Sequence, residues 1–322
     1  MSVKNTGSGG MMTHFKKKEP AVTTALLLSG SSNTVLAAQV AHGLGIELGQ
    51  CRIERFPDGE LDIELVAEVK DRDVYVMQSL MAPVGEHLLE LSLLVDTCHR
   101  GGAQRVSAVV PYLGYARQDR RESAKEPLGA RVMAELLATR PLHRLICLDL
   151  HSRAVEGCFP TPVEHATAVP SLAEHLKKVP GPGVVVSPDL GGLKRAEAYA
   201  KQLGLPVALV HKERLSGSDV SARAVVGDVK GRHVLVVDDM ISTGGTMAAA
   251  VTAVLAAGAL GKVTLAATHG LFVGQAVERL KGLPLERIWV SNSVPVAPNL
   301  PLPVEVVSAA PALMAAMQQW LR

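Results

Sequence analysis

Short runs of β-branched and aliphatic residues recur along this chain, and longer stretches with helical spacing lie between them. Val74 to Gln78, Arg105 to Val110, Arg144 to Leu150, Val184 to Ser187, Val207 to Val210, Val234 to Val237, Val263 to Thr268 and Ile288 to Ser291 read as strands. His87 to His99 carries Leu88, Leu91 and Leu94 about one helical turn apart, and Leu313, Met317 and Trp320 repeat that spacing near the C-terminus. Strands that are apolar throughout need cover on both faces, so the pattern predicts an α/β chain of mainly parallel sheets flanked by helices. With 322 residues there is room for two domains, and the division is expected near residue 165. Leu145 to Ser152 faintly echoes Leu235 to Ser242, which suggests an internal duplication.

Aromatics make up only 3% of the residues, so Leu, Val and Ala must fill the cores. The formal net charge of +2 gives no electrostatic case for nucleic acid or an anionic membrane as partner. Cys51, Cys98, Cys147 and Cys158 form no CxxC pair, and Cys98 and Cys147 sit in apolar runs. Small buried thiols in a reducing cytoplasm fit best. Lys16 to Lys18 ahead of Ala21 to Leu28 faintly suggests a secretory leader, but Glu19-Pro20 and the polar Ser29 to Asn33 argue against it. Residues 1–20 are expected to be a mobile tail.

Polar and glycine-rich residues cluster just after the expected strands, where ligands bind in open α/β sheets. One such cluster is Val236-Val237-Asp238-Asp239-Met240-Ile241-Ser242-Thr243-Gly244-Gly245-Thr246. A strand is expected to end at Val237, so that Asp238 and Asp239 can accept hydrogen bonds from sugar hydroxyls. Thr243 to Thr246 then opens the helix Met247 to Ala256, where backbone N–H groups can approach a phosphate. An acid pair of this kind can also serve a nucleotide hydrolase, but the chain has no GxxxxGK[ST] loop. A simple helix cap would not require the two carboxylates.

Four further segments are weaker alone. Pro111 to Arg121 is the densest cationic stretch. Its arginines can clamp a polyphosphate, although by itself it reads as a solvated loop. Arg55-Phe56-Pro57-Asp58-Gly59-Glu60 looks like a turn leading into an alternating strand with Leu61, Ile63 and Leu65. His151 follows Asp149, and Asp189 lies in Ser187 to Gly192. A histidine beside a Mg–phosphate site is plausible as a partner, because Mg²⁺ prefers oxygen. Lys212 and Arg214 project to one side of an extended segment, followed by a Ser/Gly stretch expected to be mobile.

Together these segments resemble ribose-phosphate pyrophosphokinases, in the family's order and over about Leu26 to Pro295. The resemblance implies two phosphoribosyltransferase-type domains, at 21–165 and 166–305, with a C-terminal helix over 306–322 joining the first. It implies transfer of the β,γ-pyrophosphate of Mg-ATP to the anomeric hydroxyl of ribose 5-phosphate. Asp238 and Asp239 would face the ribose, and Ser242, Thr243, Gly244, Gly245 and Thr246 would cradle its phosphate. Arg117 and Gln118 would contact ATP. Phe56, Asp58, Gly59 and Glu60 would reach the adenine from a neighbouring subunit of a homo-oligomer. His151 and Asp189 match the Mg²⁺ positions, and Lys212 and Arg214 the catalytic pair, Arg214 also reaching the sugar phosphate.

The chain departs from the family at Ser242, where many members carry Asp, and at Arg121 to Lys125, which is less basic. It also ends at Trp320-Leu321-Arg322 without the serine-bearing tail of the best-known members. Weak or absent phosphate activation and ADP allostery are therefore expected, and the family's hexameric state is not carried over. Two other readings stand beside this one: a non-catalytic regulatory homologue, and a phosphoribosyltransferase that consumes phosphoribosyl diphosphate.

Overall fold

The computed structural model describes residues 25–121, 123–178, 181, 183–214 and 221–321, with backbone alone at 212–214 and 221–223. The expected tail over 1–20, Glu122 and the stretch 215–220 after Arg214 lie outside the described residues.

The first part of the chain forms β1 (Ala25–Ser29), α1 (Thr34–Leu44), β2 (Glu47–Gly49), β3 (Cys51–Arg55), β4 (Leu61–Leu65), β5 (Asp73–Met77), α2 (Val84–Arg100), β6 (Arg105–Val110), α3 (Gly129–Leu137), β7 (Arg144–Leu148) and β8 (Val163–Ala166). The second forms α4 (Val169–Leu176), β9 (Val184–Ser187), α5 (Leu193–Leu203), β10 (Val207–Arg214), β11 (Ser221–Val226), β12 (Val234–Ile241), α6 (Gly245–Ala256), β13 (Val263–Gly270), α7 (Ala276–Lys281), β14 (Leu285–Ser291), β15 (Val304–Val307) and α8 (Ala310–Gln318).

Two sheets result, ordered β2-β1-β5-β6-β7-β8 and β11-β10-β9-β12-β13-β14-β15. Every pairing within them is parallel except β10 with β11, and β3 pairs with β4 as a separate antiparallel hairpin. This is the expected α/β class. Strands such as β5, β9 and β13 are buried along their whole length, which explains why their sequences are mostly apolar. One apolar cluster runs between the sheets, joining Leu27, Tyr75 and Ile146 to Val185, Leu235 and Ala266. α8 packs against α1, β7 and β8.

Without the edge strand β11, both sheets read second, first, third, fourth, fifth, sixth in chain order. The fold is thus duplicated, but not in the register that the sequence echo suggested. The echo aligns β7 with β12, whereas the strand at the place of β12 in the first sheet is β5. The buried strand pattern repeats often enough to produce such a match by itself.

Two strands run past their expected ends. β12 continues to Ile241, because its ladder with β13 holds through Asp238–Ala267, Met240–His269 and Ile241–Gly270. Asp238 and Asp239 therefore sit inside a strand rather than beyond one. β10 continues to Arg214 because β11 pairs with it antiparallel, which puts Lys212 and Arg214 on a strand backbone. Near the C-terminus, β15 extends the second sheet through Val307, two residues into the stretch read as helix.

Candidate active site

The two strand ends that flank the reversal of order in the second sheet, those of β9 and β12, open into a cavity of about 1150 Å³. Ser187 Oγ donates to Asp189 O at 2.6 Å, and Asp189 Oδ1 accepts from Gly192 N at 2.9 Å, fixing the turn after β9. From β12, Asp238 and Asp239 line the same cavity, as do Ser242 to Met247.

The acid pair is held from two directions. Arg195, on α5, donates through Nη1 to Asp238 Oδ1 at 3.3 Å and lies 3.7 Å from Asp239 Oδ1. His151, beyond β7, places Nδ1 2.8 Å from Asp239 Oδ2. A carboxylate only accepts, so that nitrogen carries the proton and Nε2 is left for the cavity. Burial alone would raise the Asp239 carboxyl, but the His151 bond and the Arg195 guanidinium outweigh it and hold it well below the usual range. Asp238 moves the other way, raised by burial and then by the Asp239 charge. The bond to Asp239 raises the His151 imidazole. One buried carboxylate thus stays charged and paired, while its neighbour holds a proton more readily.

The glycine loop supplies the opposite polarity. Gly244 has φ +76, a conformation that disfavours any side chain, and a Cβ there would lie 3.3 Å from Leu280 Cγ and 3.4 Å from Ala276. Gly244, the N-cap of α6, has no side chain to cap the helix, so its first-turn N–H groups and the helix dipole suit an anion. The loop is braced from behind. Arg279 Nη1 donates to Thr243 O at 3.0 Å, and Val273 N to Ser242 O at 3.0 Å.

A second cavity of about 490 Å³ is lined by Val84, Tyr112, Tyr115, Arg117 and Gln118. Arg117 lines both cavities, so the two adjoin. Arg120 and Arg153 also face the larger one.

The N-terminal domain of ribose phosphate pyrophosphokinase matches residues 25–140, and the phosphoribosyl transferase domain matches residues 171–287. A ribose-phosphate pyrophosphokinase of Aquifex aeolicus is 38% identical over 295 residues, covering 91% of this chain and 94% of the relative. One from a Nostoc species is 41% identical over 283 residues, covering 87% and 86%. The crystal structure of phosphoribosylpyrophosphate synthetase from Mycobacterium smegmatis superimposes with a TM-score of 0.84 at 35% identity, over 92% of this chain and 98% of that one.

The chain belongs to the ribose-phosphate pyrophosphokinase family. Its fold is that of two phosphoribosyltransferase-type domains.

Among the residues that the family resemblance singles out, Asp238, Asp239, Ser242, Thr243, Gly244, Gly245, Thr246, His151, Asp189 and Arg117 line the larger cavity, and Gln118 only the smaller. Phe56, Asp58, Gly59 and Glu60 form the exposed tip of the β3–β4 hairpin and line neither cavity. The side chains of Lys212 and Arg214 lie outside the described residues, although their neighbour His211 lines the larger cavity. Among the described residues no group of three or more His, Cys, Asp or Glu is placed to hold a metal. No helix among them is long and apolar enough to cross a membrane. Sequence reasoning gave Arg195 no role, though it holds both carboxylates. Its only signal is a cation in the first turn after Gly191-Gly192.

Proposed function

We propose that this chain is an active ribose-phosphate diphosphokinase, converting ribose 5-phosphate and Mg-ATP to phosphoribosyl diphosphate and AMP. The observation that carries this reading is the adjoining of the two cavities at Arg117. A sugar-phosphate cradle at β12 then faces a cationic wall and a second, smaller pocket able to take a base. A phosphoribosyltransferase would explain the cradle but not the second pocket. A non-catalytic homologue would not need an ordered His151–Asp239–Arg195 arrangement.

In this reading Ser242 to Thr246 hold the 5-phosphate, and Asp238 and Asp239 accept from the ribose hydroxyls. Arg117 and Gln118 hold the nucleotide. The anomeric hydroxyl gives up its proton to solvent and its oxygen forms a bond to the β-phosphorus of ATP as the bond from that phosphorus to the α-phosphate oxygen breaks, and AMP leaves. Lys212 and Arg214 neutralise the charge that builds on the transferring group. Asp189 has spent one carboxylate oxygen on Gly192, and His151 keeps Nε2 for the cavity. Such a sparse donor set fits Mg²⁺, which keeps most of its waters and takes the rest of its oxygens from phosphates. When bound, the ion screens the phosphate charge.

The exposed hairpin tip supports a homo-oligomer in which a second copy brings Phe56, Asp58, Gly59 and Glu60 to the base. We also propose the domain division at 21–165 and 166–305, with 306–322 joining the first, and a cytoplasmic location. The test is incubation with ribose 5-phosphate and Mg-ATP across a range of phosphate concentrations. AMP is expected, and its absence at every concentration favours one of the other two readings. Lys212→Ala is expected to slow turnover about 10²- to 10³-fold without unfolding the chain.

A further inference from the structure

The first half of the chain delivers His151 to the larger cavity through one turn. Asp149 follows β7 with φ +39, a conformation uncommon for non-glycine residues. Its N–H donates to Ala166 O at 2.9 Å. Its Oδ2 accepts from Ala168 N at 2.8 Å and from Thr268 Oγ1 at 2.6 Å, and its carbonyl oxygen lies 3.3 Å from His269 Nε2. Thr268 and His269 are buried on β13, in the second half. The turn that aims His151 is therefore clamped by the opposite sheet.

The proton positions follow from the partners. A carbonyl only accepts, so His269 Nε2 carries a proton. Burial keeps the ring neutral, and Nδ1 then accepts from Ser293 Oγ at 2.8 Å. The same ring meets Tyr112 edge-on, with centroids 5.0 Å apart, and Tyr112 lines the smaller cavity beside Arg117. Ser293 O in turn accepts from Ser79 Oγ at 2.6 Å. These groups are buried, so losing one partner leaves another without water to replace it.

We propose that Thr268, backed by His269, is a positioning residue that registers β13 against the Asp149 turn and so holds His151 in place over the reacting phosphates. This rests on the reaction proposed above. Because in that reading the phosphate loop lies in the second half, and Arg195 still holds Asp239 when His151 moves, lost register displaces His151 and leaves the sugar phosphate bound.

The test compares Thr268→Val, which removes the hydroxyl at similar volume, with Thr268→Ser, which keeps it. In Thr268→Val, kcat for AMP formation is expected to fall about 10- to 100-fold. KM for ribose 5-phosphate should stay within about twofold, and Thr268→Ser should recover kcat to within about threefold of wild type. A merely structural role lowers the melting temperature without this split. The second readout needs no activity. Leu150 N donates to His165 Nε2 at 3.0 Å, and in Thr268→Val its amide should exchange about tenfold faster while β12 amides keep their rates. If wild type makes no AMP, the proposed reaction fails and amide exchange alone decides the positioning role. If Thr268→Val does not fold, Thr268→Cys, a weaker donor of similar size, is read in its place. Unchanged exchange at Leu150, or a KM for ribose 5-phosphate that rises in step with the loss of kcat, overturns the proposal.

Discussion

The two sheets share one strand order and differ in what fills the point where that order reverses. In the second sheet the ends of β9 and β12 enclose the large cavity. In the first, the corresponding ends of β1 and β5 are closed by side chains. Gln78 Oε1 accepts from Ser32 N at 3.1 Å and from Ser32 Oγ at 2.6 Å, and Glu90 accepts from Ser31 N at 2.6 Å. A Cβ on Gly30 would collide with the Gln78 amide and lie 2.9 Å from Glu90 Oε1. A duplicated fold thus offers two potential ligand crevices, and the side chains after the third strand decide which one stays open. A glycine loop with an acid pair leaves space and polarity. A glutamine backed by a buried glutamate fills the same space with internal hydrogen bonds.

Substitutions at the two points should then behave oppositely. The largest effect is expected for Asp239→Asn, which breaks the charge partnership with His151 and Arg195. AMP formation should fall about 10²- to 10³-fold, measured by steady-state kinetics on protein of unchanged circular dichroism. At the closed point, Gln78→Ala should leave turnover nearly unchanged while lowering unfolding free energy by about 1–3 kcal/mol in urea, because Ser32 loses a buried acceptor. Large losses of turnover in both variants would remove the contrast.

A smaller effect concerns pH. His269 is fully buried and its pKa lies below the usual value, first because of burial. Above about pH 6.5 the ring is neutral in both folded and unfolded chains, so it adds no pH dependence there. As the pH falls below that value the unfolded chain takes up a proton that the folded chain resists, and stability is lost. His269→Gln should therefore flatten the fall in denaturation midpoint between about pH 7 and pH 5.5, read in the presence of a chelator. The smallest expected effect is that of inorganic phosphate. Activity should change less than about twofold across a phosphate titration, and ADP inhibition should be hyperbolic. Strong phosphate dependence with sigmoidal ADP inhibition contradicts this.

The parts of this molecule that were legible in the sequence are those whose physics is local. Arg105–Val110 and Val184–Ser187 stand out because strands covered on both faces are mostly β-branched and aliphatic. The acid pair and glycine loop stand out because their pattern is confined to one strand, one turn and one helix start. β2 and β15 were not legible, being three and four residues long and largely open to solvent. β1 was hidden because an apolar run after lysines also suits a leader. The end of β12 was misplaced because carboxylates usually mark the end of a buried strand, and here Arg195 and His151 make them tolerable inside one. Thr268 and Asp149 are 119 residues apart, and only the closed fold makes them partners.

The most direct test of the account is ³¹P NMR of the full chain with ribose 5-phosphate and Mg-ATP. ATP should be lost in step with the appearance of AMP, and a new diphosphate ester should form on the sugar. Formation of ADP with a singly phosphorylated anomeric position, or no turnover at any phosphate concentration, contradicts it.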